Sequence, residues 1–148
     1  MPQLLDELRA HLVTAGVVRV PRTAGSAPPM FLSPKNGTPA PGESESGNSV
    51  EQGDPVVGAY RTDGIAGGPY VSKWRRKPIV ELRFRASKVS AIEQLELNIT
   101  GKIADRRDFQ MAGQYVIECQ QWRELQLIES GAQGYEYLAS YWFELLRI

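Results

Sequence analysis

The chain has 148 residues, 42% of them hydrophobic and 23% charged, with 17 basic side chains balanced by 17 acidic ones. Usage of this kind is ordinary for a globular protein, the length predicts a single domain over 1–148, and such a domain buries a core without metal or disulfide help. Zero net charge removes any global pull toward nucleic acid or an anionic membrane, and the lone Cys119 excludes an intrachain disulfide, as in a protein made in a reducing compartment.

The opening MPQLLDELRAHL is amphipathic and charged, unlike the apolar stretch of a signal peptide. Leu4, Leu5, Leu8 and Leu12 recur at helical spacing and predict a helix over 2–15, with Pro2 in its first turn and Gly16 as its stop. Val17–Val20 reads as a short strand ended by Pro21, and Met30, Phe31 and Leu32 as another. From Pro34 to Asp54 the character changes: ten of 21 residues are Gly, Pro or Ser, and apolar side chains reduce to Ala40 and Val50 apart from the prolines. Such a segment buries too little surface to offset its ordering entropy, so 34–54 is expected to be a long flexible loop.

Val56–Tyr60 predicts a further short strand, followed by the turn-rich RTDGIAGGPY. IVELRFR, residues 79–85, is the clearest strand, with Val80, Leu82 and Phe84 facing a core and Glu81, Arg83 and Arg85 facing water. A second helix follows, with stripe Ile92, Leu95, Ile99 and Ile103, capped by Ser87 or by Ser90 in a capping box with Glu93, and weakened in its last turn by Gly101. Phe109 and Met111 alternate, as do Tyr115, Ile117 and Cys119, on either side of a hairpin turn at Ala112-Gly113. The aromatic run Tyr135–Ile148 favours a last strand. The fold class expected is α+β: a mostly antiparallel mixed sheet flanked by two helices, with one long loop.

Chemistry is excluded largely by inventory. His11 is the only histidine, so a site of several histidines cannot exist, and Cys119 cannot complete a cysteine-rich zinc site. No metal or cofactor is therefore expected. A Cys–His nucleophile would require Cys119 beside His11; the plainer reading makes Cys119 a small core residue and His11 exposed or capping a contact. Gly101-Lys102 lacks the first glycine of a phosphate loop, since Glu96 occupies that position, and Gly64, Gly67 and Gly68 do not match GxGxxG. Asp105 and Asp108, bracketing Arg106 and Arg107, read as a solvated corner rather than an acid–base pair.

The strongest local charge asymmetry is Lys73-Trp74-Arg75-Arg76-Lys77, with the opposite sign gathered in the long loop at Glu43, Glu45, Glu51 and Asp54. Three readings stand together: a solvated strand edge kept from unwanted pairing, an interface to a complementary patch on a neighbouring subunit, and contact with nucleic-acid phosphates alongside a stacking Trp74. In the second, Lys73, Trp74, Arg75, Arg76 and Lys77 of one copy would meet Glu43 and Glu45 of the next, a head-to-tail contact of the kind that closes rings.

In the order and size of its elements the chain resembles the tail-terminator and minor-capsid neck proteins of long-tailed phages. The resemblance rests on the helix LLDELRAHLVTAG, the loop and small strand PPMFLSP, the arginine-bearing strand PIVELRFRA running into the helix SAIEQLELNITGKI, and the closing hairpin with YEYLASYWFELLRI. It spans nearly the whole chain, although many members carry a shorter loop at the place of 34–54. The resemblance implies a mixed sheet flanked by helices, no enzymatic activity, and assembly as a hexameric ring at the head-proximal end of the tail tube. Its partners would be copies of itself, the tail tube protein and the head–tail connector, with DNA passing through the lumen without specific binding. The location implied is the virion, after assembly in the host cytoplasm. The family has no short motif to transfer residue by residue. A head-completion or connector neck protein and a small nucleic-acid-binding module are the competing functions.

Overall fold

The computed structural model describes residues 4–32, 55–61, 70–72, 75–131 and 134–146, the side chains of 70–72 and 75–76 excepted. The predicted loop 34–54 and Pro2 lie outside the described residues. Helix α1 runs Leu4–Thr14 and buries Leu4, Leu5, Leu8 and Leu12, the predicted stripe. It ends as expected at Gly16, whose φ of 78° is readily reached only without a Cβ. The Gly16 N–H donates to the Val13 carbonyl and the Val17 N–H to that of Leu12, which satisfies two of the helix's last carbonyls.

The expected strand at Val17–Val20 is not formed. A single parallel bridge joins Arg19 to Pro29. Pro21 cannot donate to a ladder and Arg22, at φ 66°, turns the chain away, so pairing cannot propagate. The chain then enters β1 (Met30–Leu32), which pairs in parallel with β2 (Val56–Arg61). Two short segments, β3 (Tyr70–Ser72) and β4 (Arg75–Arg76), form an antiparallel pair. Strand β5 (Ile79–Ala86) follows, then α2 (Val89–Ile103). Strands β6 (Arg106–Met111), β7 (Gln114–Gly131) and β8 (Gly134–Leu146) complete the chain. The sheet is eight-stranded and mixed, with β2, β5, β8, β7 and β6 as successive neighbours. Together with two helices this is the α+β class the hydrophobic periodicity predicted.

Register explains why β4 and β5 are separate elements. Arg75 pairs with Leu146, and Ile79 with Trp142, in one uninterrupted antiparallel register along β8. They are a single line of chain broken at Lys77-Pro78, where the proline has no N–H to give; its carbonyl still accepts from Phe143 N at 3.0 Å.

The core fills the face of the sheet that carries Val80, Leu82 and Phe84, all fully buried. Cross-strand partners Ala59 and Val57 on β2, and Tyr141, Ala139 and Tyr137 on β8, share that face. Helix α2 lies against β5 and β7, burying Ile92, Leu95, Ile99 and Ile103 as predicted. Its start was misread. Lys88 is the N-cap, in extended conformation and without a side-chain cap bond, because Ser90 is already helical and Ser87 lies one residue too early.

Helix α2 does continue through Gly101, which is exposed and has open space where a Cβ would stand. Gly101→Ala is therefore expected to raise the unfolding free energy by about 0.5–1 kcal/mol, visible as a higher midpoint in urea denaturation with an unchanged slope.

Helix α1 touches β1 and β2 at one end of the sheet order and β6 near the other. The sheet must curl for one short helix to reach both. Polar bonds fix each side: Arg9 Nη1 donates to the Met30 carbonyl at 3.1 Å, and the buried Glu7 carboxylate accepts from Gly113 N in the β6–β7 turn.

Strand β7 departs from the predicted alternation. Tyr115, Ile117 and Cys119 were expected on one buried face, whereas Val116 and Cys119 are the fully buried pair and Tyr115 and Ile117 are half-buried. A register shift between Val116 and Glu118 moves the pattern by one residue, so burial recurs after three positions instead of two. Three further shifts follow along β7, and each adds a residue to β7 relative to β8. The turn at Ala112-Gly113 is where the sequence placed it, with Ala112 at φ 49°.

Candidate assembly surface

The two faces of the sheet differ in chemistry. Opposite the helices, cross-strand register places Tyr60, Glu81, Ser140 and Arg123 in one row over β2, β5, β8 and β7. Gly58, Arg83, Leu138 and Gln126 form the next row, and Val56, Arg85, Glu136 and Glu129 the third. This face was expected to be wet at Glu81, Arg83 and Arg85. Instead Glu81 is buried and Arg83 and Arg85 are half-buried. Strand β5 is central, so larger neighbours on both sides cover it: Tyr60 is directly opposite Glu81 and fully buried. Arg83 donates through Nε to the Tyr60 hydroxyl at 3.2 Å and lies 3.9 Å from the Glu136 carboxylate.

Burial pushes the Glu81 carboxyl above its ordinary value of 4.5, against the opposing pull of the Arg83 and Arg123 charges. A folded-state pKa above the unfolded one gives stability that is present below about pH 4.5 and is lost as pH rises through the folded value. Glu81→Gln removes that term. The variant is expected to be at least as stable as the parent at pH 7 and to lose ground relative to it at pH 4, read from urea midpoints at both pH values.

The predicted basic run is divided between elements. Arg75 and Arg76 form β4 against the end of β8, and Lys77 holds its ammonium 3.9 Å from the centre of the Trp142 ring. Lys73, Trp74, Glu43 and Glu45 lie outside the described residues, so the proposed contact between the basic run and the acidic loop has only Lys77 described as a side chain.

The titratable groups singled out in the sequence have structural surroundings. Burial pushes the Cys119 thiol far above its ordinary value, helped by the negative charges of Asp105 and Glu118, so it is a protonated thiol at neutral pH. His11 is half-buried against Phe109, ring centres 5.6 Å apart, with Nε2 3.4 Å from the Lys102 carbonyl at the end of α2. Asp108 accepts from the Tyr115 hydroxyl at 3.1 Å in the exposed corner the sequence predicted. A half-buried polar chain ties α2 to the sheet: Thr100 donates to Glu96, Gln121 donates to the same oxygen, and the Thr100 and Tyr141 hydroxyls are 2.7 Å apart. Burial pushes the Tyr141 hydroxyl well up, so it remains protonated. Among the described residues no three His, Cys, Asp or Glu side chains are grouped to hold a metal, and no helix is long and apolar enough to cross a membrane.

The surface that sequence reasoning missed is the far half of β7. Strand β6 pairs with β7 only as far as Cys119; among the described residues, 120–131 have β8 on one side and no strand on the other. This edge exposes Trp122 and Leu127 at 54% each, with Ile128, and Tyr135 across the hairpin. A run of unpaired backbone with large apolar side chains is a template for another strand. The signal available in the sequence was Trp122, Leu125 and Leu127 amid charged residues, but the repeated register shifts hide its period. No protein-family model matches the chain, and no curated protein is similar to it.

Proposed function

We propose that this chain is a structural subunit that acts by assembling, and that it serves as a phage tail-terminator-like protein. In this reading copies form a ring, six-membered by the resemblance, at the head-proximal end of a tail tube. The ring ends tube growth and joins the tube to the head connector, while DNA passes through its lumen. The observation that carries association between copies is the far half of β7, which among the described residues has no strand on its outer side and exposes Trp122, Leu127 and Ile128; the ring geometry rests on the resemblance. Support for the tail-terminator role comes from the order of elements: an N-terminal helix, a small strand, an arginine-bearing strand leading into a helix, and a closing hairpin whose last strand is aromatic.

Immunogold labelling of intact particles, viewed by negative-stain electron microscopy, tests the reading. Label at the head–tail junction is expected, and particles lacking the protein should carry overlong tails. Tailless particles with filled heads would instead indicate a connector or head-completion role. No label on any particle, together with DNA binding that falls steeply with salt, would replace the structural reading by a nucleic-acid-binding one.

A further inference from the structure

We infer that the far half of β7 is a two-fold contact between copies of this chain, with the two β7 strands pairing antiparallel about Gln126. The argument begins with which side chains share a face. Arg123, Gln126 and Glu129 are in register with Ser140, Leu138 and Glu136 of β8, which in turn oppose Glu81, Arg83 and Arg85 of β5. All three therefore lie on the face away from the helices. Leu127 is in register with Tyr137 and through it with Phe84, and Leu125 packs on the core, so both belong to the helix face.

Centring the pair on Gln126 sets Arg123 against the partner's Glu129, and Glu129 against the partner's Arg123. Leu125 meets the partner's Leu127, and Gln126 meets its own counterpart. Every one of these pairs joins residues of the same face, as a continuous sheet requires. Two opposite-charge pairs and two leucine pairs then lie directly across the new ladder, where cross-strand pairs stabilise a sheet. A slip of one residue sets Gln126 against a leucine of the other face. A slip of three restores the faces but leaves Arg123 with no acid opposite it.

The bulges identify the occupant. Irregular edges ordinarily repel added strands. Here one extra residue lies between Arg123 and Gln126 and another between Leu127 and Glu129, on either side of Gln126. A regular foreign strand would lose register at both. A second copy, turned by the two-fold, sets Glu124 against the partner's Ile128 and so meets each irregularity with one of its own. Among the described residues neither Arg123 nor Glu129 forms an ion pair within its own chain, and both are exposed. A two-fold contact closes on itself and gives a pair. It therefore stands apart from the ring, whose head-to-tail contacts need other surfaces.

Sedimentation equilibrium of the full chain tests this. The parent is expected to dimerise. Arg123→Glu places Glu against Glu twice, and Glu129→Arg places Arg against Arg twice; each should weaken dimerisation by about tenfold. The double variant restores opposite charges and should return the dimer to parental strength. Glu129 is exposed, so unchanged thermal unfolding of Glu129→Arg at low concentration is expected, whereas Arg123→Glu removes the positive charge that acts on Glu81 and should unfold somewhat earlier at neutral pH without touching the comparison of dimer strengths. As a second readout, Gln126→Cys should give a disulfide-linked dimer on mild oxidation, because its counterpart is directly opposite and the native Cys119 is buried. A parent that stays monomeric at about 1 mM overturns the inference. So does a dimer indifferent to both single reversals, or one in which Gln126→Cys does not cross-link. A ring that forms while neither single reversal weakens the dimer and Gln126→Cys does not cross-link would overturn the β7 contact and leave the ring reading standing.

Discussion

Phe84→Ala is expected to lower the unfolding free energy by about 3–5 kcal/mol. The ring lies at the middle of the central strand β5, fully buried, with Val57 opposite it on β2 and Tyr137 opposite it on β8. Truncation removes its transfer energy and leaves a cavity that three paired strands cannot collapse to fill. Against a total stability of about 5–15 kcal/mol, that loss is a large fraction of the whole. Urea denaturation followed by far-UV circular dichroism should show a much lower midpoint with the slope preserved. Leu97→Ala serves as the control. Leu97 is 62% exposed on the outer side of α2, and its truncation should change stability by no more than about 0.5 kcal/mol. Equal effects from the two would contradict the placement of the core.

Gly134→Ala is the second large effect, and its cause is the backbone instead of the core. Gly134 starts β8 at φ 109°, outside the region that an alanine enters readily. A Cβ there would also stand 2.5 Å from the carbonyl oxygen of Ala86, which is backbone and cannot rotate away. Strain and displacement together are expected to cost about 3 kcal/mol. Gly131 lies directly across the hairpin in the same register pair, yet has nothing within 4 Å of its would-be Cβ. Gly131→Ala should therefore be nearly neutral. Thermal unfolding of the two variants side by side measures the difference. If both are tolerated, the close approach of Gly134 to the end of β5 is wrong.

Where hydrophobic period and structure agreed, one side chain pattern faced one environment. The leucines of α1, the isoleucines of α2 and the Val80–Leu82–Phe84 alternation of β5 each report a single buried face, and each was legible as such. The second face of β5 was not. Glu81 and Arg83 are charged, so their alternation with apolar residues reads as wet, yet burial on a central strand depends on neighbours such as Tyr60 that are distant in sequence. The cap of α2 was missed because a serine at capping-box spacing can equally be the second residue of a helix. Strand β7 was the largest omission. A register shift breaks the two-residue period, and a strand with four of them has no stable period to recognise beyond Cys119. For the same reason the candidate surface was placed on the basic run, where charge is visible in the sequence, and not on an edge that exists only once β6 has ended.

Helix α1 holds Met30 with Arg9 and Gly113 with Glu7, the latter bond joining residues 106 positions apart. During synthesis α1 is made well before its final contact, because Gly113 follows Glu7 by 106 residues. Until then the apolar side of α1 has lost half of its seat. Long-range closure of this kind raises contact order and slows folding, and it exposes strand edges while the chain waits. Refolding of Glu7→Ala should therefore reveal whether α1 docks in the rate-limiting step: an unchanged refolding rate with faster unfolding places the docking after it.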